Sequence, residues 1–146
     1  MLRTKLFKLL SIILFAILTS TAFAIPTPQI KMLNSSKEVL NGKAFTRHYI
    51  QVINWAEFSR DLFNAAPDLP PCGINKNSSR VWVDIYDADT NQRIYGYCGF
   101  QRPEDLKQFW FAQSQKGCLN VKVEINDRKK QQKVFSNTIK VPCVND

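Results

Sequence analysis

A run of acidic and amide side chains near the middle of the chain has the spacing of a calcium-binding loop. Asp87, Asp89 and Asn91 reproduce the Asp-x-Asp-x-Asn opening, in which alternate oxygen side chains converge on a hard cation. The rest of the motif fails, because Gln92 stands where the loop needs glycine and Cys98 where it needs a bidentate glutamate. Asp and Asn are also residues with which a β-turn bonds its own backbone. We therefore predict a turn without a cofactor, and a metal site is the weaker alternative.

Support for nucleophilic or acid–base catalysis is weak. The chain contains one histidine, His48, and lacks the Gly-x-Ser-x-Gly motif of serine hydrolases. A lone histidine without cysteine, histidine or carboxylate at ligand spacing is commonly an ordinary strand residue. The 12 acidic residues offer no pair that the sequence alone brings together, as glycoside hydrolysis requires. We assign no catalytic residue, since a small hydrolase would need a cleft that gathers His48 or several acids.

Four cysteines without any Cys-x-x-Cys spacing predict two disulfides and an oxidising compartment rather than a metal site. The midpoint between Cys118 and Cys143 falls in the polar segment 128–132, which composition independently marks as a turn. These two cysteines should therefore face each other across a hairpin. The midpoint between Cys72 and Cys98 falls inside an apolar strand, which excludes that geometry for this pair. By elimination, Cys72 bonds Cys98 and ties a proline-rich loop to the end of a strand.

The beginning of the chain has the features of a secretory signal peptide. Basic residues precede an apolar run of about ten residues, too short for a membrane-spanning helix of roughly twenty. These features are Arg3, Lys5 and Lys8, then Leu9–Leu18, then a small-x-small pattern that ends at Ala24. We predict that residues 1–24 are removed by cleavage after Ala24.

The remaining residues, 25–146, have the size of one domain. Without the three basic residues of the predicted signal, 17 of the 20 Lys and Arg residues remain against 12 acidic residues. The mature protein is therefore only moderately basic, and its single basic run, Arg128–Lys130, is typical of a solvated turn. We expect a periplasmic or secreted protein that is soluble, does not insert into a membrane and does not bind nucleic acid.

Alternating apolar, β-branched and aromatic residues predict two β-hairpins. The first joins Val81–Tyr86 to Ile94–Tyr97 through the acidic turn, and the second joins Leu119–Ile125 to Val134–Val141 through a polar turn. An earlier strand is predicted over 44–55, where Ile50, Val52 and Ile53 mark its buried end. Before it, we expect a short strand at 30–33, a turn at 34–37 and a second turn at Asn41-Gly42.

Three segments have other patterns. Trp55, Phe58, Leu62 and Phe63 have helical spacing and predict a short helix or an aromatic-packed loop within 54–69. Pro103–Leu106 resembles a first helical turn. Phe109–Phe111 indicate a short strand or apolar plug at one end of the core. With six or seven strands and one or two helical turns, we predict an all-β fold, an antiparallel β-sandwich of immunoglobulin or fibronectin type, with an open barrel as the alternative.

Several short segments resemble a group of small exported bacterial proteins of unassigned function. These are Leu-Pro-Pro-Cys-Gly at 69–73, Ser-Arg-x-Trp-Val at 79–83 and Tyr-x-x-Cys at 95–98, together with Asn54-Trp55 and Ser136-Asn137-Thr138. The resemblance implies an exported bacterial β-domain and brings no activity or site residues with it.

We expect a non-enzymatic binding module that contacts another protein or a cell-surface component. The module would act like an inhibitor or would bind to the cell envelope or to a host surface. The alternatives are a small secreted hydrolase and a calcium- or carbohydrate-binding module that uses Asp87, Asp89 and exposed aromatic rings. Three tryptophans and four tyrosines supply such rings, although most should fill the core. An exposed ring beside Arg or Asn would indicate a sugar or peptide surface.

Overall fold

The computed structural model describes residues 24–72 and 78–145, and within them the protein is all-β. Residues 1–23 of the predicted signal peptide lie outside the described residues. Gly73 of the proline-rich segment lies outside them too. The strands are β1 (Ile30–Leu40), β2 (Lys43–Val52), β3 (Val81–Asp87), β4 (Arg93–Tyr97), β5 (Phe109–Gln113), β6 (Gly117–Asp127), β7 (Gln132–Phe135) and β8 (Ile139–Val144). Three short 3₁₀ turns span Trp55–Glu57, Arg60–Phe63 and Pro103–Lys107.

The strands form two antiparallel sheets, as predicted. The three-stranded sheet has the order β1-β2-β5. The five-stranded sheet has the order β4-β3-β6, and both β7 and β8 pair with the remaining edge of β6. β7 pairs with Glu124–Asp127, whereas β8 pairs with Gly117–Val121, so the two short strands follow each other along one long partner.

Residues from both sheets and from the intervening loops form one apolar core. Period-two alternation supplies it, because every second side chain of a strand points to the same face. The fully buried members are Ile50 and Val52 of β2, Val81, Val83 and Ile85 of β3, Phe111 of β5, Val121, Val123 and Ile125 of β6, and Leu106. Ile53, predicted to be buried, is half exposed, because β2 ends at Val52 and the chain turns there.

The first hairpin corrects the prediction of a short strand followed by a turn at 34–37. β1 continues through this polar segment to Leu40, and a bulge at Leu33 lies between the Met32–Ile50 and Asn34–Tyr49 pairs. Polar residues are tolerated there because β1 is an edge strand with one side toward solvent. The predicted turn at Asn41-Gly42 is present, and both residues have positive φ angles, 52° and 75°. This is the conformation of a two-residue hairpin turn.

The loop between β2 and β3 is packed by aromatic residues rather than built on a regular helix. The second 3₁₀ turn buries Leu62 and Phe63, and Phe58, which follows the first turn, is also buried. The Asn54 side chain donates to Glu57 at 2.9 Å, accepts from the Gln29 backbone N–H and donates to another backbone carbonyl of the N-terminal segment. The side chain of Asn54 therefore joins the first 3₁₀ turn to the entry of β1.

Both predicted disulfides are present. Cys118 and Cys143 join β6 to β8, and Cys72 and Cys98 join the proline-rich loop to the residue that follows β4. The second predicted hairpin is interrupted, since β7 ends at Phe135 and β8 begins at Ile139. In the interruption, the Ser136 hydroxyl accepts the Val123 backbone N–H in place of a strand carbonyl.

Gly96 of β4 makes room for an ion pair on the outer face of the five-stranded sheet. The Arg93 side chain crosses Gly96, and its Nε donates to the mostly buried Asp84 carboxylate at 2.7 Å. A Cβ at position 96 would lie 2.0 Å from Arg93 Nη2 and 2.2 Å from Asp84 Oδ1. Only glycine at this position is compatible with the observed pair.

We predict that Gly96→Ala lowers the free energy of unfolding by about 1–3 kcal/mol, the usual cost of overpacking. Urea denaturation monitored by tryptophan fluorescence measures it. In an Arg93→Ala background the cost of Gly96→Ala should be smaller, because the crossing side chain is gone and only the contact with Asp84 Oδ1 remains. Equal costs in the two backgrounds would contradict this explanation.

Candidate functional site

A surface rich in aromatic residues covers the outer face of the three-stranded sheet. β2 points Phe45, Arg47 and Tyr49 outward, alternating with the buried side chains of its inner face. β5 adds Trp110, which pairs with Tyr49, and Tyr95 of β4 contacts the Trp110 ring from the neighbouring sheet. We call these five residues the Arg47 surface.

Arg47 is held at the centre of this surface by contacts with Trp110, Glu38 and Tyr49. Its guanidinium carbon lies 4.0 Å from the Trp110 ring centroid, a cation–π distance. Nη2 forms an ion pair with Glu38 at 3.0 Å, and Nη1 donates to the Tyr49 hydroxyl at 3.4 Å. The hydrogen bond to Tyr49, and then the charge of Glu38, raise the pKa of Arg47 against the opposing effect of burial. The cation is therefore fixed in place and permanently charged.

Tyr97 connects the Arg47 surface to the five-stranded sheet. Its hydroxyl accepts the Trp110 backbone N–H at 3.1 Å and donates to the Trp110 backbone carbonyl. These two backbone groups lie on the edge of β5, and burial of the hydroxyl raises the pKa of Tyr97. The neighbouring Tyr95 lies nearly parallel to Trp110, with an angle of 22° between the ring planes, and is 42% exposed. An exposed ring thus stacks on the tryptophan that holds the arginine.

The opposite face of β2 carries His48, which is fully buried. His48 pairs with Ser35 of β1 and with Phe111 of β5 in the sheet register. Ser35 Oγ lies 2.8 Å from His48 Nδ1, and Gln113 Oε1 lies 3.0 Å from Nε2. Both ring nitrogens therefore have a neutral partner, and the ring packs against Phe111 at 5.1 Å between centroids.

Gln113 determines which ring nitrogen of His48 carries the proton. The Gln113 amide nitrogen donates to the backbone carbonyls of Gln115 and Gly117 at 3.0 and 3.2 Å. Its Oε1 must then accept from His48 Nε2–H, which leaves Nδ1 unprotonated as the acceptor of the Ser35 hydroxyl. Burial lowers the pKa of His48, against a smaller opposite effect of the Gln113 hydrogen bond. The ring is therefore neutral and in one tautomer at physiological pH.

The acidic turn that resembles a calcium loop uses its oxygen atoms within the protein. Asp87 Oδ1 accepts the backbone N–H groups of Asp89 and Thr90. Asp89 Oδ2 accepts from Asn120, and Asn91 Oδ1 accepts from Lys122. Among residues 24–72 and 78–145, no group of three or more His, Cys, Asp or Glu side chains is arranged to hold a metal ion.

Two acids that the sequence left unpaired are brought together on the outer face of the five-stranded sheet. Asp84 of β3 lies directly opposite Glu124 of β6, and both are mostly buried. Asp84 pairs with Arg93, and Glu124 pairs with Lys133 at 3.5 Å. The register of β3 against β6 creates this pair, and no local sequence pattern reveals that register.

Comparisons with known proteins identify no relative: no family model, no curated protein and no solved structure matches the chain. In the described part of the chain, no helix has the length and apolar character needed to cross a membrane. The two disulfides fit a compartment outside the cytoplasm.

We predict that the free energy of unfolding falls as pH decreases below the ordinary His48 pKa of 6.5. The unfolded chain binds this proton more readily than the folded chain, so stability is lost between 6.5 and the lowered native value. Urea denaturation at pH 7.5 and pH 5.5 measures the difference.

His48→Gln is the control, because glutamine keeps hydrogen-bonding atoms but does not titrate. It should abolish most of the dependence on pH in this window. Despite their partial burial, Asp87 and Asp127 are held below their ordinary pKa of 3.8 by hydrogen bonds and titrate at lower pH. A stability that is unchanged between the two pH values in the wild-type protein would contradict the prediction.

Proposed function

We propose that the mature chain is an exported, non-enzymatic binding module that contacts another protein through the Arg47 surface. The observation that carries the proposal is the clustering of Arg47 and Trp110 of the three-stranded sheet with the exposed Tyr95 of the neighbouring sheet. Tryptophan, tyrosine and arginine are the residues most enriched among the energetic anchors of protein interfaces.

The rigidity of the surface supports the same function. Arg47 is fixed by Glu38, Tyr49 and Trp110 before any partner arrives, and Trp110 is fixed through its backbone by Tyr97. A preorganised side chain loses little conformational entropy on binding, so more of its contact energy appears as affinity. The partially exposed rings offer apolar area, and the guanidinium offers hydrogen-bond donors for an acceptor on the partner.

Export rests on the predicted signal peptide and agrees with the two disulfides. Periplasmic or extracellular location, membership in the group of small exported bacterial proteins and a sandwich of immunoglobulin or fibronectin type belong to the same proposal. The partner is then a periplasmic protein or a protein of the envelope or host surface.

The test is affinity capture with the oxidised mature protein from periplasmic and host-cell extracts, followed by measurement of the dissociation constant for each recovered protein. We predict that Tyr95→Ala and Trp110→Ala each weaken the interaction at least about tenfold, or about 1.4 kcal/mol. Circular dichroism and thermal unfolding establish that each variant is folded.

Phe135→Ala is the matched control, because Phe135 is also an exposed ring, 43% exposed against 42% for Tyr95, but lies on β7, at the opposite edge of the five-stranded sheet from β4. The affinity of this variant should equal that of the wild-type protein. Partners that bind all three variants equally well would overturn the assignment of the surface. Recovery of a polysaccharide that competes for the same rings would instead favour the carbohydrate-binding alternative.

A further inference from the structure

We infer that Ser35 is a nucleophile for acyl transfer, activated by His48 and oriented through Gln113. This site lies on the inner face of the three-stranded sheet, opposite the Arg47 surface. It leaves the proposed binding surface as it is, but it replaces the non-enzymatic part of the proposed function with an activity at a second site. Ser35 is the nucleophile, His48 is the base, and Gln113 is the group that orients the base. This is the general arrangement of nucleophilic catalysis.

The serine is an exposed residue, while its base is buried. Ser35 lies on edge strand β1, whereas His48 is fully buried. Their Oγ–Nδ1 distance of 2.8 Å is within the range for direct proton transfer. The burial of His48 therefore keeps solvent from competing for the acceptor nitrogen.

The base is in the correct tautomer before any substrate arrives. The Gln113 amide group is anchored by two backbone carbonyls and accepts His48 Nε2–H, so Nδ1 is free to take a proton. Because the ring is buried beside Phe111, it has little freedom to rotate away from the hydroxyl.

A groove lies next along the same face of the sheet. Lys37 lies two residues from Ser35 on this face of β1, where it pairs with Thr46. Lys37 and Thr46 line a groove of about 250 Å³ whose other side is formed by the end of β8 and the loop after β5. Ser35 and His48 do not line this groove, so a bound substrate would extend from the Ser35 hydroxyl past Lys37 to enter it.

The proposed step needs only Ser35, His48 and the ester to account for every bond and for the proton. Ser35 Oγ forms a bond to the carbonyl carbon of an activated ester, and its proton passes to His48 Nδ1. The tetrahedral adduct then breaks the bond between that carbon and the leaving oxygen, which recovers the proton from Nδ1. The products are O-acyl-Ser35 and an alcohol, and no electrons are transferred.

The experiment treats the oxidised mature protein with a fluorophosphonate probe and, separately, with p-nitrophenyl acetate, and maps the modified residues by tandem mass spectrometry. General-base assistance is worth about 10²–10⁴ in rate. Ser35 should therefore be modified at least about 100-fold faster than Ser36, its neighbour on the opposite face, whose hydroxyl donates to Glu38 at 3.1 Å.

Ser36→Ala should leave the rate at Ser35 unchanged, Ser35→Ala should abolish the fast modification, and His48→Gln should reduce Ser35 to the rate of Ser36. If His48→Gln does not fold, the ratio between the two serines in the wild-type protein still decides the matter. A ratio near one overturns the inference. Fast reaction with the fluorophosphonate but no acetylation by the ester overturns the acyl-transfer assignment.

Discussion

The structure depends on side chains that satisfy backbone groups at the edges of its sheets. A small sheet has two edges, and each exposes N–H and C=O groups that need a partner if they are covered. Asn137, in the interruption between β7 and β8, uses its amide to accept the Ile30 N–H at 2.7 Å and to donate to the Ile30 carbonyl at 3.1 Å. Tyr97 performs the same function for Trp110 with one hydroxyl. These two side chains join the sheets at opposite sides of the core without a strand that crosses between them.

β2 carries residues of both sites, because its side chains alternate between the two faces of the sheet. Its outward residues build the Arg47 surface, and its inward residues run from the apolar core at Val52 and Ile50 to the polar pocket at His48. The polar pocket is possible because Gln113 and Ser35 satisfy the ring, so the buried histidine carries no unpaired polar atom. A ten-residue strand thus presents a binding face on one side and a hydrogen-bonded histidine on the other.

Local patterns were sufficient for the parts of the fold whose partners are close in sequence. The β3–β4 hairpin, the Asn41-Gly42 turn and both disulfides followed from alternation, turn chemistry and register arithmetic. Groups that meet through distant pairing were missed: Arg47 and Trp110 meet across β2 and β5, and Asp84 and Glu124 across β3 and β6. The polar residues of β1 were also misjudged, because composition does not distinguish a turn from an edge strand that faces water on one side.

The bulge at Leu33 allows Ser35 and the apolar residues at the start of β1 to face the same side of the sheet. The Asn41-Gly42 turn sets the pairing of Ser35 with His48, and the extra residue shifts the earlier pairs to Met32–Ile50 and Ile30–Val52. If the ladder ran through the same sequence without a bulge, Leu33 would pair with Ile50, and Ile30 and Met32 would change faces while Ser35 stayed opposite His48. One extra residue thus lets a single edge strand supply apolar side chains to the core at one end and a hydroxyl to the histidine further along.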